Sequence, residues 1–199
     1  MGKGEETRQV ILDEAAAQAS HVGLGGLTIG SLATQTRLSK SGLFAHFRSK
    51  EQLQLEVLTH TRQRFVDQVV RPALAVPRGE PRVRELFERW LAWDSRPGGC
   101  LFVAAQMELD DQPGPVRDEL VSGQRDWMDT IAHVFRSGIG ERHFREDADP
   151  EQFASDLNGV MLGYHSSSRL LADPKAADRA RFAFERLLDA VRPSRPTPS

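Results

Sequence analysis

Apolar positions recur at helical spacing along almost the whole chain. Ile11, Ala15, Ala19 and Val22 fall on one stripe of a helix that starts near residue 5. Gly23 is placed to end that helix in a left-handed conformation. Leu27 then precedes Thr28, a good N-cap, and a short second helix follows with Ile29, Leu32 and Ala33 turned inward. After a break at Thr36-Arg37-Leu38, Ser39 is placed to cap a third helix over residues 40–46. Ser49 caps a fourth, and Gln52 stands three residues on, in capping-box position. The fourth helix carries Leu53, Val57, Phe65 and Val69 on one side and is expected to stop at Pro72. At 1.5 Å per residue it would be on the order of 30 Å long.

Five further helices are predicted. Val83, Leu86, Phe87, Trp90 and Leu91 define one over about residues 80–94, and Ser95-Arg96-Pro97-Gly98-Gly99 separates it from an apolar helix, Cys100 to Leu109. Pro113-Gly114-Pro115 opens a long helix with Leu120, Trp127, Ile131, Val134 and Phe135, and residues 150–172 and 174–191 supply the last two. The fold class is therefore all-α, with about nine helices and a proline-rich tail over residues 193–199 that reads as disordered. No internal repeat and no alternating run calls for a sheet.

Composition narrows the class without changing this picture. At 199 residues, with 27 % charged and 39 % hydrophobic residues, the chain has room for a small domain attached to a larger one. No apolar run is long enough to span a membrane, and the N-terminus lacks an apolar signal core, so a cytoplasmic protein is expected. Cys100 is the single cysteine, which excludes an intrachain disulfide. The formal net charge of -2 conceals an asymmetry: no acid occurs between Glu14 and Glu51, while Arg37, Lys40, Arg48 and Lys50 fall in that interval with His21 and His46. A local cationic face is what phosphate attraction requires.

Residues 29–47 meet the mechanical needs of a helix-turn-helix. Ala33 is small enough for the closest approach of two steeply crossed helices, and Leu32, Leu38 and Leu43 have the spacing to meet around the turn. The second helix must offer one side to a major groove, and Ser39, Lys40, Ser41 and Gly42 present small or cationic groups there.

The run Leu27-Thr28-Ile29…Leu32-Ala33…Leu38-Ser39-Lys40-Ser41-Gly42-Leu43-Phe44-Ala45-His46-Phe47-Arg48-Ser49-Lys50-Glu51-Gln52-Leu53 closely resembles the TetR family of bacterial regulators. That family's pattern is approximately T-x-x-x-I-A-x-x-A-G-V-S-x-G-x-L-Y-x-H-F-x-S-K-E-x-L. The resemblance implies an all-α homodimer with a DNA-binding domain at residues 1–50 and a ligand-binding and dimerisation domain at 51–192. Carried onto this chain, it makes Thr28 a phosphate-contacting helix start, sets Lys40, Ser41 and Ala45 against bases or their flanking phosphates, and gives His46 and Lys50 phosphate-side contacts. Two positions depart from the pattern. Arg37 stands at the turn where glycine is usual, and Phe44 replaces a tyrosine, so that a phosphate-directed hydroxyl is missing.

The function implied is a transcriptional regulator, a repressor released from a palindromic operator by a small hydrophobic effector. The effector is expected among the middle helices and their neighbours, with Trp90, Trp93, Phe102, Met107, Trp127, Met161 and His165 as candidate contacts, although such residues also fill ordinary cores. Phe153, Leu157, Val160, Met161 and Tyr164, beside Gly159, Gly163 and Ser167, and then Ala180, Phe184, Leu187, Leu188 and Val191, give the last two helices faces suited to a four-helix dimer interface. The same residues would serve an intrachain core. No cofactor or metal is expected, since His60, His133, His143 and His165 are scattered. No catalytic group is expected: Asp129 and His133 share a helix face without forming a dyad, and Gly23-Leu24-Gly25-Gly26 comes after a helix rather than a strand, unlike a nucleotide loop. The competing reading is a helical small-molecule binding protein that retains an unused helix-turn-helix.

Overall fold

The computed structural model describes residues 3–36 and 38–193. Arg37, and with it the expectation about the turn, lies outside the described residues, as does the tail from residue 194 onward. The described residues form helices α1 (Lys3–Gly26), α2 (Ile29–Thr36), α3 (Lys40–His46), α4 (Lys50–Phe65), α5 (Arg71–Ala75), α6 (Glu80–Asp94), α7 (Leu101–Leu109), α8 (Pro115–Gly140), α9 (Pro150–Arg169) and α10 (Ala176–Val191). Among them there is no strand, as the sequence pattern predicts, and no helix is long and apolar enough to cross a membrane.

Two helix ends differ from expectation. Helix α4 does not stop at Pro72. It passes through a π-helical stretch, Val66–Val70, into α5, where the proline occupies the first turn. In that position its missing N–H forfeits no hydrogen bond, so helical structure resumes through the proline. Gly23 does take a positive φ, 78°, and breaks the helix there as expected, but a further helical turn to Gly26 follows the kink and is counted with α1. The bend brings Leu24 to zero exposure and leaves Val22, expected on the buried stripe, exposed, while Ile11, Ala15 and Ala19 are buried as predicted.

The described residues gather into two compact units. The first comprises Met1–Val66 with Arg96–Gln124, the second Asp67–Ser95 with Arg125–Ser199. The first unit thus extends well past residue 50. Leu53, Val57 and Leu58 of α4, Leu101, Ala105 and Leu109 of α7, and Val116 and Leu120 of α8 share one apolar core with Leu12, Leu32, Leu43 and Phe47. A head of about fifty residues buries too little apolar surface by itself, and these helices complete it.

In the second unit, Phe135 stacks on Phe144 and Phe153 at centroid distances of 4.4 and 4.2 Å, and Phe87 stacks on Phe184 at 4.1 Å. Phe153, Leu157, Met161 and Tyr164 of α9 and Ala180, Phe184 and Leu188 of α10 are buried within the chain. The intrachain core therefore takes most of the larger apolar residues of both helices, with Phe182 of α10 left exposed. Gly159 and Gly163 are left exposed, with open space where a Cβ would stand.

Candidate nucleic-acid interface

Helices α2 and α3 are built by local signals. The Thr28 hydroxyl accepts from Ser31 N–H at 3.0 Å, and the Ser39 hydroxyl accepts from Gly42 N–H at 3.0 Å. A Cβ at position 42 would lie 3.2 Å from Ser39 Oγ, so glycine there keeps the cap uncrowded. Ser49 caps α4 by accepting from Gln52 N–H at 3.0 Å. The return bond of the capping box is displaced by one residue, with the Gln52 side-chain Oε1 accepting from Arg48 N–H at 2.9 Å rather than from the cap residue itself.

Leu43 and Phe47 pin α3 to the core with zero exposure. Lys40, Ser41, Phe44 and Ala45 of α3 are all exposed, Ser41 and Ala45 on the side opposite Leu43 and Lys40 and Phe44 on its flank. Residues 40 and 44, and likewise 41 and 45, are four apart and make two neighbouring rows. A Cβ at Gly30 would lie 3.8 Å from both Lys40 Cε and Thr28 Oγ1, so the start of α2 and the start of α3 meet at one edge. Of the DNA-facing residues expected from sequence, Thr28, Ser39, Lys40, Ser41, Phe44 and Ala45 lie at this head, all six exposed. Gly42 and His46 are half-buried, and the His46 ring leans on Phe47. Lys50 is exposed, and its ammonium donates to the Gly25 carbonyl.

That last bond belongs to a polar joint that the sequence reading missed. Beyond the kink at Gly23, the Glu108 carboxylate of α7 accepts from Leu24 N–H at 2.8 Å and from Gly25 N–H. Gln54 of α4 donates to the Leu24 carbonyl at 2.8 Å. The last turn of α1, which leads into α2, is thereby held through its amides by α7 and through its carbonyls by α4. A Cβ at Gly23 would meet Glu108 at 2.8 Å, and one at Gly25 would also collide with it, so these glycines make room for the carboxylate. The signal was present: Glu108 is the only charged residue in Leu101–Leu109, and it faces across the chain to a glycine-rich turn. A second missed anchor is Arg8, which bonds Glu56 and lies 5.6 Å from the Phe47 ring centre.

The candidate effector residues divide between the units. Trp90, Trp93, Trp127 and Met161 are buried and His165 half-buried in the second unit. Trp90 meets Tyr164 edge-on at 6.0 Å, and His165 Nδ1 lies 2.6 Å from Oδ1 of the buried Asp94. Burial, and then the nearby Asp94 charge, push the Tyr164 hydroxyl above its ordinary value of 10. Phe102 and Met107 belong to the first unit, where Phe102 packs edge-on against Phe65 at 6.0 Å and Met107 is 70 % exposed. Cys100 is buried, and Asp129 and His133 lie on α8, both exposed. Among the described residues no three His, Cys, Asp or Glu side chains form a metal-binding group.

Comparison with known proteins accords with this arrangement. The family model for "Bacterial regulatory proteins, tetR family" matches residues 11–57, and that for "Tetracyclin repressor-like, C-terminal domain" matches residues 79–184. A TetR-family transcriptional regulator from Cytophaga hutchinsonii is similar in structure with a TM-score of 0.85 at 19 % identity, covering 98 % of this chain and 99 % of that one. A TetR regulator from Chloroflexus aurantiacus gives 0.82 at 26 % identity, over 95 % and 96 % of the two chains. One from Streptomyces coelicolor gives 0.80 at 21 %, over 94 % and 96 %. A search of curated proteins finds no match. With a helix-turn-helix whose exposed residues include Thr28, Lys40 and Ser41, and family models that match both the head and most of the C-terminal helices, the chain belongs to the TetR family of transcriptional regulators, which are DNA-binding proteins and not enzymes.

Proposed function

We propose that this regulator is a homodimeric repressor that reads a palindromic operator through α2 and α3 and is released when a mostly hydrophobic small molecule binds in its second unit. The observation that carries the reading is the outer side of α3. There Lys40, Ser41, Phe44 and Ala45 remain open beside Thr28, in a stretch that holds no acid from residue 15 to residue 50. Exposed cationic and hydroxyl groups with no acid among them favour a phosphate-rich partner over an unused helix-turn-helix. Among similar structures, AibR was solved in complex with isovaleryl coenzyme A and operator DNA, with a TM-score of 0.69 at 20 % identity.

A second copy is the proposed occupant of the open faces of α9 and α10. Leu170, Leu171 and Phe182 are 81 %, 69 % and 70 % exposed, and Gly159 and Gly163 allow close helix approach. For the effector, Trp90, Trp93, Trp127 and Met161 supply apolar surface and the His165–Asp94 pair a polar anchor, the combination that ligand sites between helices use. The proposed link to DNA runs through Glu108. Its helix α7 falls within the matched C-terminal domain, yet packs in the first unit and holds the segment leading into α2.

Operator binding is tested by selection from random duplex DNA, followed by binding measurements at several salt concentrations. The expected result is a short palindrome, bound with steep salt dependence. Lys40→Ala should weaken binding across all sequences and lower the salt slope by about 1 per subunit. A selection that enriches nothing would overturn the reading.

A further inference from the structure

We infer that Phe44, with Ala45 beside it, reads the 5-methyl group of a thymine in each operator half-site, so that this regulator's sequence preference includes an apolar contact where a phosphate-directed hydroxyl is usual. The inference deepens the operator-binding reading above and rests on it.

The Phe44 ring is 53 % exposed, although Leu43 before it and Phe47 after it have no exposure at all. It therefore adds little to the core of the head. An aromatic ring left in water on a small helix is unfavourable unless something covers it during function. The ring shares a row with Lys40, one turn earlier, and Ala45 shares the adjoining row with Ser41. This apolar pair thus continues the cationic and hydroxyl-bearing edge formed by Lys40, Ser41 and Thr28, in a stretch of sequence that lacks any acid from residue 15 to residue 50. Those neighbours point to a phosphate-rich partner. On the floor of a major groove the apolar feature open to such side chains is the thymine methyl, and both phenylalanine and alanine suit it. Phenylalanine has no hydrogen-bonding group with which to reach a phosphate oxygen.

The test uses the full-length protein and its selected operator. Each thymine is replaced in turn by deoxyuridine, which removes the methyl and leaves base pairing intact. One thymine per half-site should be sensitive, with affinity falling about fourfold for one substitution and about fifteenfold when both half-sites are changed. In Phe44→Ala, whose folding is checked by circular dichroism, thymine and uracil duplexes should bind equally. Equal binding of all uracil duplexes by the unaltered protein would overturn the inference while leaving DNA binding intact. So would a Phe44→Ala variant that loses affinity by the same factor on thymine and uracil duplexes, since the ring would then be packing on sugar. Failure to select any operator would overturn both readings together.

Discussion

The two units are held together by different chemistry. In the first, apolar packing sets the positions of α1, α4 and α7, but the joint leading into the reading head is made from backbone amides and carbonyls gripped by Glu108, Lys50 and Gln54. In the second, stacked rings fill the interior, and a ladder of ions lies across its outer side: Glu80 accepts from Arg84 and Arg192, and Arg84 also pairs with Glu185. Stacked rings resist displacement because every shift opens a void. A carboxylate on two amides can let go and take up water with little other change. The contrast places adjustability at the entrance to the head and rigidity in the second unit.

The comparison breaks most visibly at Phe135. Its ring is fully buried between Phe144 and Phe153. Phe135→Ala should cost about 3–5 kcal/mol in urea or thermal unfolding. At temperatures where the variant stays folded, its operator affinity should match that of the unaltered protein. An affinity lowered in proportion to stability would show that the rigid interior and the head cannot be separated.

Glu108 sharpens the same contrast from the other side. Glu108→Ala strips two amides of their acceptor and should cost about 1–3 kcal/mol, less than Phe135→Ala. Unlike that variant, it should weaken operator binding in the fully folded protein, because the segment leading into α2 loses its tether. Glu108→Gln, which keeps an acceptor oxygen without the charge, should recover part of both losses. Unchanged operator affinity in Glu108→Ala would refute the role given to this joint.

These two sites also mark how far the sequence could be read. The reading head was legible because its determinants are local: Thr28, Ser39 and Ser49 cap helices within three residues of themselves, and Leu32 and Leu43 meet around a short turn. The Phe135 helix was legible from its period. Glu108 was not, since its partners lie more than eighty residues away and are backbone groups with no side-chain signature. Pro72 misled for a physical reason, because a π turn upstream places it where a proline is harmless. The candidate effector list was compositional, and composition cannot separate Trp90, buried in the second unit, from Met107, which lies open in the first.

The smallest expected effect lies in the ion ladder, and its pH dependence fixes its sign. Hydrogen bonding from Arg192 first, and from Arg84 next, holds the Glu80 carboxyl below the ordinary 4.5, and hydrogen bonding from Arg84 does the same for Glu185. A carboxylate whose value is lower folded than unfolded binds fewer protons in the folded state across that interval. Its stabilisation is complete above about pH 5 and declines as the pH falls through the folded value. Glu80→Gln should therefore melt below the unaltered protein at neutral pH, by the equivalent of about 1 kcal/mol. The gap should stay constant down to about pH 5 and close on further acidification. Salt should narrow it only in part, since the Glu80 side chain is 19 % exposed and its charge is incompletely screened. A gap that persists unchanged to acid pH would mean that Glu80 stabilises α6 by packing and not by charge. The ladder would then be a surface ornament, and the second unit's rigidity would rest on its stacked rings alone.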